Sequence, residues 1–222
     1  MKPITWSYSA VKDFESCPRK YYELRVIKRF KQEDTDATRY GTEVHKAFEE
    51  FVRDGKAIPP QFQKFQPYVE PLLKLKGTRY CEEKMGVKAD FSPCGFFDPD
   101  VWWRGIPDLL VINEENGVAR VVDYKTGKSA KYADTDQLEL LAAAIMQHHP
   151  NVHTVKGALL FVVAGAVVKG EYTRAQLPAI WSKWNGRVGR IETALNTEVW
   201  NAKNGPLCGW CPVKDCVHHK PR

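Results

Sequence analysis

The chain of 222 residues is 43 % apolar and 27 % charged, with a formal net charge of +6 and six cysteines. That length suits one domain, or a domain with a small appendage, able to bury a sizeable core. No apolar run approaches the roughly 20 residues of a membrane span, and Met1-Lys-Pro-Ile-Thr-Trp6 is not a secretory signal. A cytosolic protein without a membrane partner is expected, and its mild positive excess is compatible with a polyanion.

Ser7 to Leu24 predicts a short helix, capped by Ser7 or Ser9, that runs into an aromatic cluster and contains Cys17-Pro18. Taken alone, Cys17 reads equally as a small buried hydrophobe. Gly41 to Arg53 predicts a helix with Val44, Ala47, Phe48, Phe51 and Val52 on one face, and His45 lies at the edge of that stripe. On pattern alone His45 is a structural histidine. Gly55 to Pro71 is rich in Pro and Gln and predicts a loop with one short helix.

From Arg79 to Phe91 the period becomes two, which predicts one strand. One face would hold Cys81, Glu83, Met85, Val87, Ala89 and Phe91, leaving Glu83 as the single ionisable group among apolar neighbours. Such a carboxylate needs a partner or a metal. Glu82 reads as solvated, although a one-residue bulge would exchange the two. Ser92 to Trp103 predicts a turn and a strand. Trp102, Trp103 and Arg104 could stack on the bases of a single strand, with core packing the equal alternative for the tryptophans.

Leu109 to Ile112 and Val118 to Val122 are β-rich runs flanking the turn residues Asn113-Glu-Glu-Asn-Gly117, a hairpin signature. With the turn near Glu115 and Asn116, Asp108 falls opposite Asp123, and Asp123 and Lys125 share a face with each other and, in that register, with Asp108. Carboxylates gathered at the end of an apolar hairpin suit Mg²⁺ or Mn²⁺, and an adjacent ammonium would steady charge on a phosphate under attack. Solvated charges on a surface turn are the alternative, and the Val/Leu/Ile strands speak against it.

Lys128 and Lys131 add basic charge beside this stretch, as a phosphate backbone contact or as a solvated loop. Asp134 to His149 predicts a helix capped by Asp134 or Thr135 and stopped by Pro150. A right-handed crossover would aim Gln137 at the strand ends. Strands follow at Gly157 to Ala164 and Ala166 to Tyr172, across Gly165. A long helix capped by Thr173 then carries Leu177, Ile180, Trp181, Trp184, Val188, Ile191 and Leu195, with Gly186 and Gly189 weakening its middle. The tail holds Cys208, Cys211 and Cys216. Clustered cysteines in a cytosolic chain bind metal more often than they form disulfides. Zinc through these three and His218 or His219 is one ligand set that tetrahedral coordination allows.

Gly105-Ile-Pro-Asp108 followed by Asp123-Tyr-Lys125-Thr-Gly127 resembles the PD-(D/E)XK nuclease core, in the form found in the RecB nuclease domain and in the four-cysteine nucleases of CRISPR adaptation. Ser7 to Tyr22, with its Cys-Pro, resembles the opening of that group, and Gly41-Thr-Glu-Val-His45 matches its histidine helix. Gln137 matches the first residue of its Gln-x-x-x-Tyr, but Leu141 replaces the tyrosine. The resemblance implies an α/β fold, a central mixed β-sheet flanked by helices. Residues 41–199 would form the catalytic core, and 1–24 with 200–222 a metal-cluster lobe of the same domain.

It also implies hydrolysis of phosphodiester bonds in DNA, as an exonuclease or end-processing enzyme of recombination, repair, phage DNA metabolism or CRISPR adaptation. Asp108, Asp123 and Glu83 would hold Mg²⁺ or Mn²⁺, with His45 and the Tyr124 carbonyl as further ligands. Lys125 would position the water or stabilise the phosphorane-like state, and Gln137 would orient Lys125 or the substrate. Cys17 would join Cys208, Cys211 and Cys216 around a [4Fe-4S] cluster, while Cys81 and Cys94 have no counterpart and read as structural. A sequence-specific endonuclease and a silent nucleic-acid-binding subunit are the alternatives. The size of the chain speaks against the first, and the intact Asp108, Asp123 and Lys125 against the second.

Overall fold

The computed structural model describes residues 4–220. Its α-helices are α1 (Tyr8–Ser16), α2 (Pro18–Tyr21), α3 (Asp36–Asp54), α4 (Gln66–Val69), α5 (Asp136–His148) and α6 (Leu177–Thr197). Its strands are β1 (Thr78–Cys81), β2 (Met85–Val87), β3 (Pro93–Gly95), β4 (Trp103–Gly105), β5 (Leu109–Asn113), β6 (Val118–Lys125), β7 (Thr154–Phe161) and β8 (Ala166–Thr173).

The expected hairpin is the centre of the molecule. Asn113 and Asn116 brace its turn by accepting hydrogen bonds from the N–H groups of Asn116 and Val118 at 3.3 and 3.2 Å. Gly117 closes it at φ +62°, in the left-handed region that glycine occupies without cost. Leu109 consequently faces Val122, which brings Asp108 level with Asp123 as the turn chemistry predicts. The larger sheet runs β1-β5-β6-β7-β8, and β6 and β7 are its parallel pair. A parallel pair needs a crossover, and α5 supplies it.

Alternation along the hairpin sorts two cores. Leu109, Val111, Val122 and Tyr124 face Val44, Phe48 and Val52 of α3, whereas Leu110, Ile112, Ala119 and Val121 face α5 and α6. Buried on both sides, these strands read as continuous apolar runs rather than as alternating ones. Helix α3 starts at Thr35, whose hydroxyl accepts from the Thr38 N–H at 3.2 Å, and ends at Gly55 with φ +70°. Helix α5 is apolar nearly all round because it lies between the sheet and α6. Gly157 on β7 lets it approach, since a Cβ there would meet Leu138 at 3.1 Å. The central mixed β-sheet flanked by helices is therefore as expected.

One local expectation differs and two others are resolved. Residues 79–91 are not one strand: β1 ends at Cys81, Glu82 adopts φ +53°, and β2 belongs to a separate three-stranded sheet ordered β3-β2-β4. Residues 55–71 are more than a loop, because short helical turns bury Ile58, Phe62, Phe65 and Val69 against α3 and close the second core. Trp102 and Trp103 are 3 % and 1 % exposed, so their rings fill the core and are closed to stacking on bases. Of the expected terminal lobe, residues 1–3 and 221–222 lie outside the described residues.

Candidate active site

At the end of the hairpin two sets of side chains meet. The first follows from strand parity. Asp123 and Lys125 point to the α5 side of β6, where the Lys125 ammonium lies 2.6 Å from Asp123 Oδ2. The first turn of α5 brings in Gln137, whose amide donates to Asp123 Oδ1 and whose carbonyl accepts from Lys125 at 2.9 Å. Gln137 thus fixes the acid and the amine together, in the place the crossover argument gives it.

The second set lies on the α3 side: Asp108, expected on one face with Asp123 and Lys125, stands before the first residue of β5, outside the pleat, and groups with His45 and Glu82 instead. Asp108 precedes β5 and accepts the Tyr124 N–H at 2.5 Å, which ties the end of one strand to the other. Its other oxygen lies 3.1 Å from His45 Nδ1, so the histidine at the edge of the α3 stripe enters the site. Asp108, His45 and Glu82 each offer a ligand atom, and these atoms lie within 4.8 Å of one another. Tyr124 supports the set from beneath, with its ring edge-on to His45 at 5.8 Å and to Phe48 at 5.0 Å.

Glu83, expected as the third acid, is not in this group; Glu82 is. The parity argument assumed one unbroken strand. The left-handed backbone at Glu82 ends the pleat and turns that carboxylate toward Asp108, whose carbonyl accepts the Glu82 N–H at 3.2 Å. Glu83 instead lies near His149, at the other end of α5. Sequence reasoning also missed Glu49, one turn of α3 after His45, whose charge acts on Glu82.

The electrostatics suit a cation. Burial and then the charge of Asp108 push the Asp123 carboxyl up to about 6. Burial, followed by the charges of Asp108 and Glu49, also raises Glu82. His45 is held down by burial but raised more by its hydrogen bond to Asp108 and that carboxylate's charge, and it titrates above its ordinary value. Asp123 Oδ2 is buried, and the partner at hand among the described residues is the Lys125 ammonium at 2.6 Å. Crowded acids are what a hard divalent ion relieves, and the donor set of carboxylates and one imidazole fits it. An open groove of about 610 Å³ beside His45, Glu49, Glu82, Asp108 and Thr126 gives access.

The ends of the chain meet elsewhere. Trp200 stacks on Tyr21 and Tyr22 at 6.0 and 5.0 Å, and Arg29 pairs with Asp215 at 2.8 Å. Cys17, Cys208, Cys211 and Cys216 line one cavity of about 470 Å³ between them, and the Lys203 N–H donates to Cys17 Sγ at 3.3 Å. Among the described residues no three of these four bring their sulfurs within 4.8 Å of one another. His219 Nδ1 donates to the Cys208 carbonyl at 3.1 Å. Cys81 and Cys94 lie apart from the other four, in β1 and β3.

The chain is similar in fold to a candidate exonuclease from Eubacterium rectale, at 17 % identity and a TM-score of 0.59 over 97 % of this chain and 90 % of that one. It also aligns with the solved protein SSO0001 at 13 % identity and a TM-score of 0.45, over 98 % and 87 % of the two chains. No curated protein matches it. The model of the PD-(D/E)XK nuclease superfamily matches residues 5–216. With Asp108, Asp123 and Lys125 gathered at the end of one hairpin, in a chain matched nearly from end to end, this protein belongs to the PD-(D/E)XK nuclease superfamily.

Proposed function

We propose that the protein is a divalent-metal-dependent DNA exonuclease or end-processing nuclease, favouring single strands or free ends. The observation that carries this reading is the pairing of the His45, Glu82 and Asp108 ligand atoms, within 4.8 Å, with a Lys125 ammonium held by both Asp123 and Gln137. Asp108, Asp123, Glu82, His45 and the Tyr124 carbonyl would hold one or two Mg²⁺ or Mn²⁺ ions. Such an ion supplies Lewis acidity and a water of lowered pKa. Lys125 places positive charge where the phosphoryl oxygens become more negative. Gln137 keeps that ammonium aimed, and Asp108 holds the strand ends together through the Tyr124 N–H.

The same reading assigns Cys17, Cys208, Cys211 and Cys216 to a [4Fe-4S] cluster in a lobe formed by residues 1–24 and 200–222, with 41–199 as the catalytic core. What supports this assignment is that all four cysteines, from both ends of the chain, line one cavity.

Labelled linear DNA with Mg²⁺ or Mn²⁺ tests the catalytic assignment. Wild type should cut it, whereas Asp123→Ala and Lys125→Ala should lose about 10²- to 10³-fold in rate, as an electrostatic group at the reacting phosphate would cost, while keeping the native circular dichroism. Undiminished cutting by either variant rejects the assignment. Covalently closed circular DNA should resist, and its cleavage would mark an endonuclease instead.

A further inference from the structure

The three-stranded sheet carries a set of side chains for which the nuclease site has no use. Met85 on β2 is level with Gly95 on β3 and with Gly105 on β4. One face of this sheet, Met85, Val87 and Trp103, is buried in the core. On the other, Arg104 lies over the Phe96 ring at 5.1 Å, and just past the strand ends Lys84 lies over Phe97 at 5.6 Å. The two rings meet edge to face at 5.0 Å. Phe97 is 77 % exposed, among the most exposed of the large apolar side chains described.

Position makes this set suggestive. Lys84 is two residues from Glu82, and Arg104 is four from Asp108, so the end of the sheet that carries the rings is the end from which the chain enters the metal site on both strands. The acidic Asp98 on the same turn is already engaged, by Lys88 at 3.8 Å and by the Asp100 N–H at 2.8 Å. A water-exposed phenyl ring beside a half-buried one, both attended by cations that lie two to four residues along the chain from carboxylates that would hold a phosphate-binding ion, matches the needs of a chain of unpaired nucleotides. Bases stack on the rings, and phosphates meet the cations. A duplex, whose bases already stack on each other, offers the rings nothing.

We propose that Phe96, Phe97, Lys84 and Arg104 form a stacking platform that receives single-stranded DNA on its way to the metal centre, a deepening that rests on the nuclease reading. Fluorescence anisotropy in EDTA, with oligothymidylate of about 20 nucleotides and a duplex of equal length as probes, tests it. Phe97→Ala should weaken single-strand binding about tenfold, the loss of a base stack, and leave duplex binding unchanged. Phe97→Trp should restore it. Because Phe97 is exposed, the melting temperature should not move. Unchanged single-strand affinity in Phe97→Ala, or an equal fall for both probes, overturns the platform. Wild-type cleavage with Mg²⁺ separates the two ideas. Binding that depends on Phe97, in a protein that cuts nothing, removes the nuclease and keeps the platform. Cutting combined with binding indifferent to Phe97 does the reverse.

Discussion

Glu82 and Glu83 differ by one position and by everything that matters to an ion. Glu82 has its backbone at φ +53°, which a β-strand cannot contain, and its carboxylate joins His45 and Asp108. Glu82→Gln should therefore weaken Mn²⁺ binding in calorimetry by about tenfold or more, since even residues that only support a metal ligand cost 10- to 100-fold. Glu83→Gln should leave the isotherm unchanged. The sequence did not disclose this, because a left-handed residue other than glycine leaves no mark in a hydrophobic pattern. Asp123 offers a second check. Its proton is held up to about 6, so its favourable contribution is complete below the ordinary 3.8 and disappears as pH rises through about 6. Without metal at pH 7, Asp123→Asn should raise stability by about 1–3 kcal/mol, discounted for the lost Lys125 contact. The gain should vanish in melts at or below about pH 4, where the native and unfolded carboxyls are both protonated.

At the scale of elements, the hairpin was the most legible part. Turn residues set its register, and register alone brought Asp108 level with Asp123. The same turn is open to test. A Cβ at Gly117 would lie 2.8 Å from the His153 ring and 2.9 Å from the Asn151 carbonyl, on a backbone with φ +62°. Gly117→Ala should cost about 1–3 kcal/mol in urea melts. It should also lower cleavage only as far as the folded fraction falls. The helices α3, α5 and α6 were legible from apolar spacing, and Gln137 from the handedness of the crossover. The split of residues 79–91 between two sheets was not, because Cys81 and Met85 are both apolar and nothing local says that they enter different cores. Trp102 and Trp103 were ambiguous for a related reason. Aromatic rings look alike in sequence whether a core or a nucleic acid covers them, and in the preceding turn Phe97 is exposed while Phe96 is half-buried.

For the whole molecule, the two ends are joined by Arg29–Asp215, by the stack of Trp200 on Tyr21 and Tyr22, and by the four cysteines around one cavity. If those thiols hold iron, anaerobically purified protein absorbs near about 400 nm. Cys17→Ser should then lose that band and the iron, while Cys81→Ser and Cys94→Ser keep both. A colourless wild type with stoichiometric zinc would contradict the cluster.

The crossover through α5 has a temporal meaning as well. The helix that lets β7 lie parallel to β6 also carries the glutamine that clamps Asp123 to Lys125. A chain that has made only its hairpin has Asp108 on the Tyr124 N–H and Lys125 beside Asp123, but lacks the Gln137 amide that clamps acid and amine together. Wrapping of the helix and the clamping of these two groups by Gln137 are one event, so the site is not complete before the chain has acquired its topology.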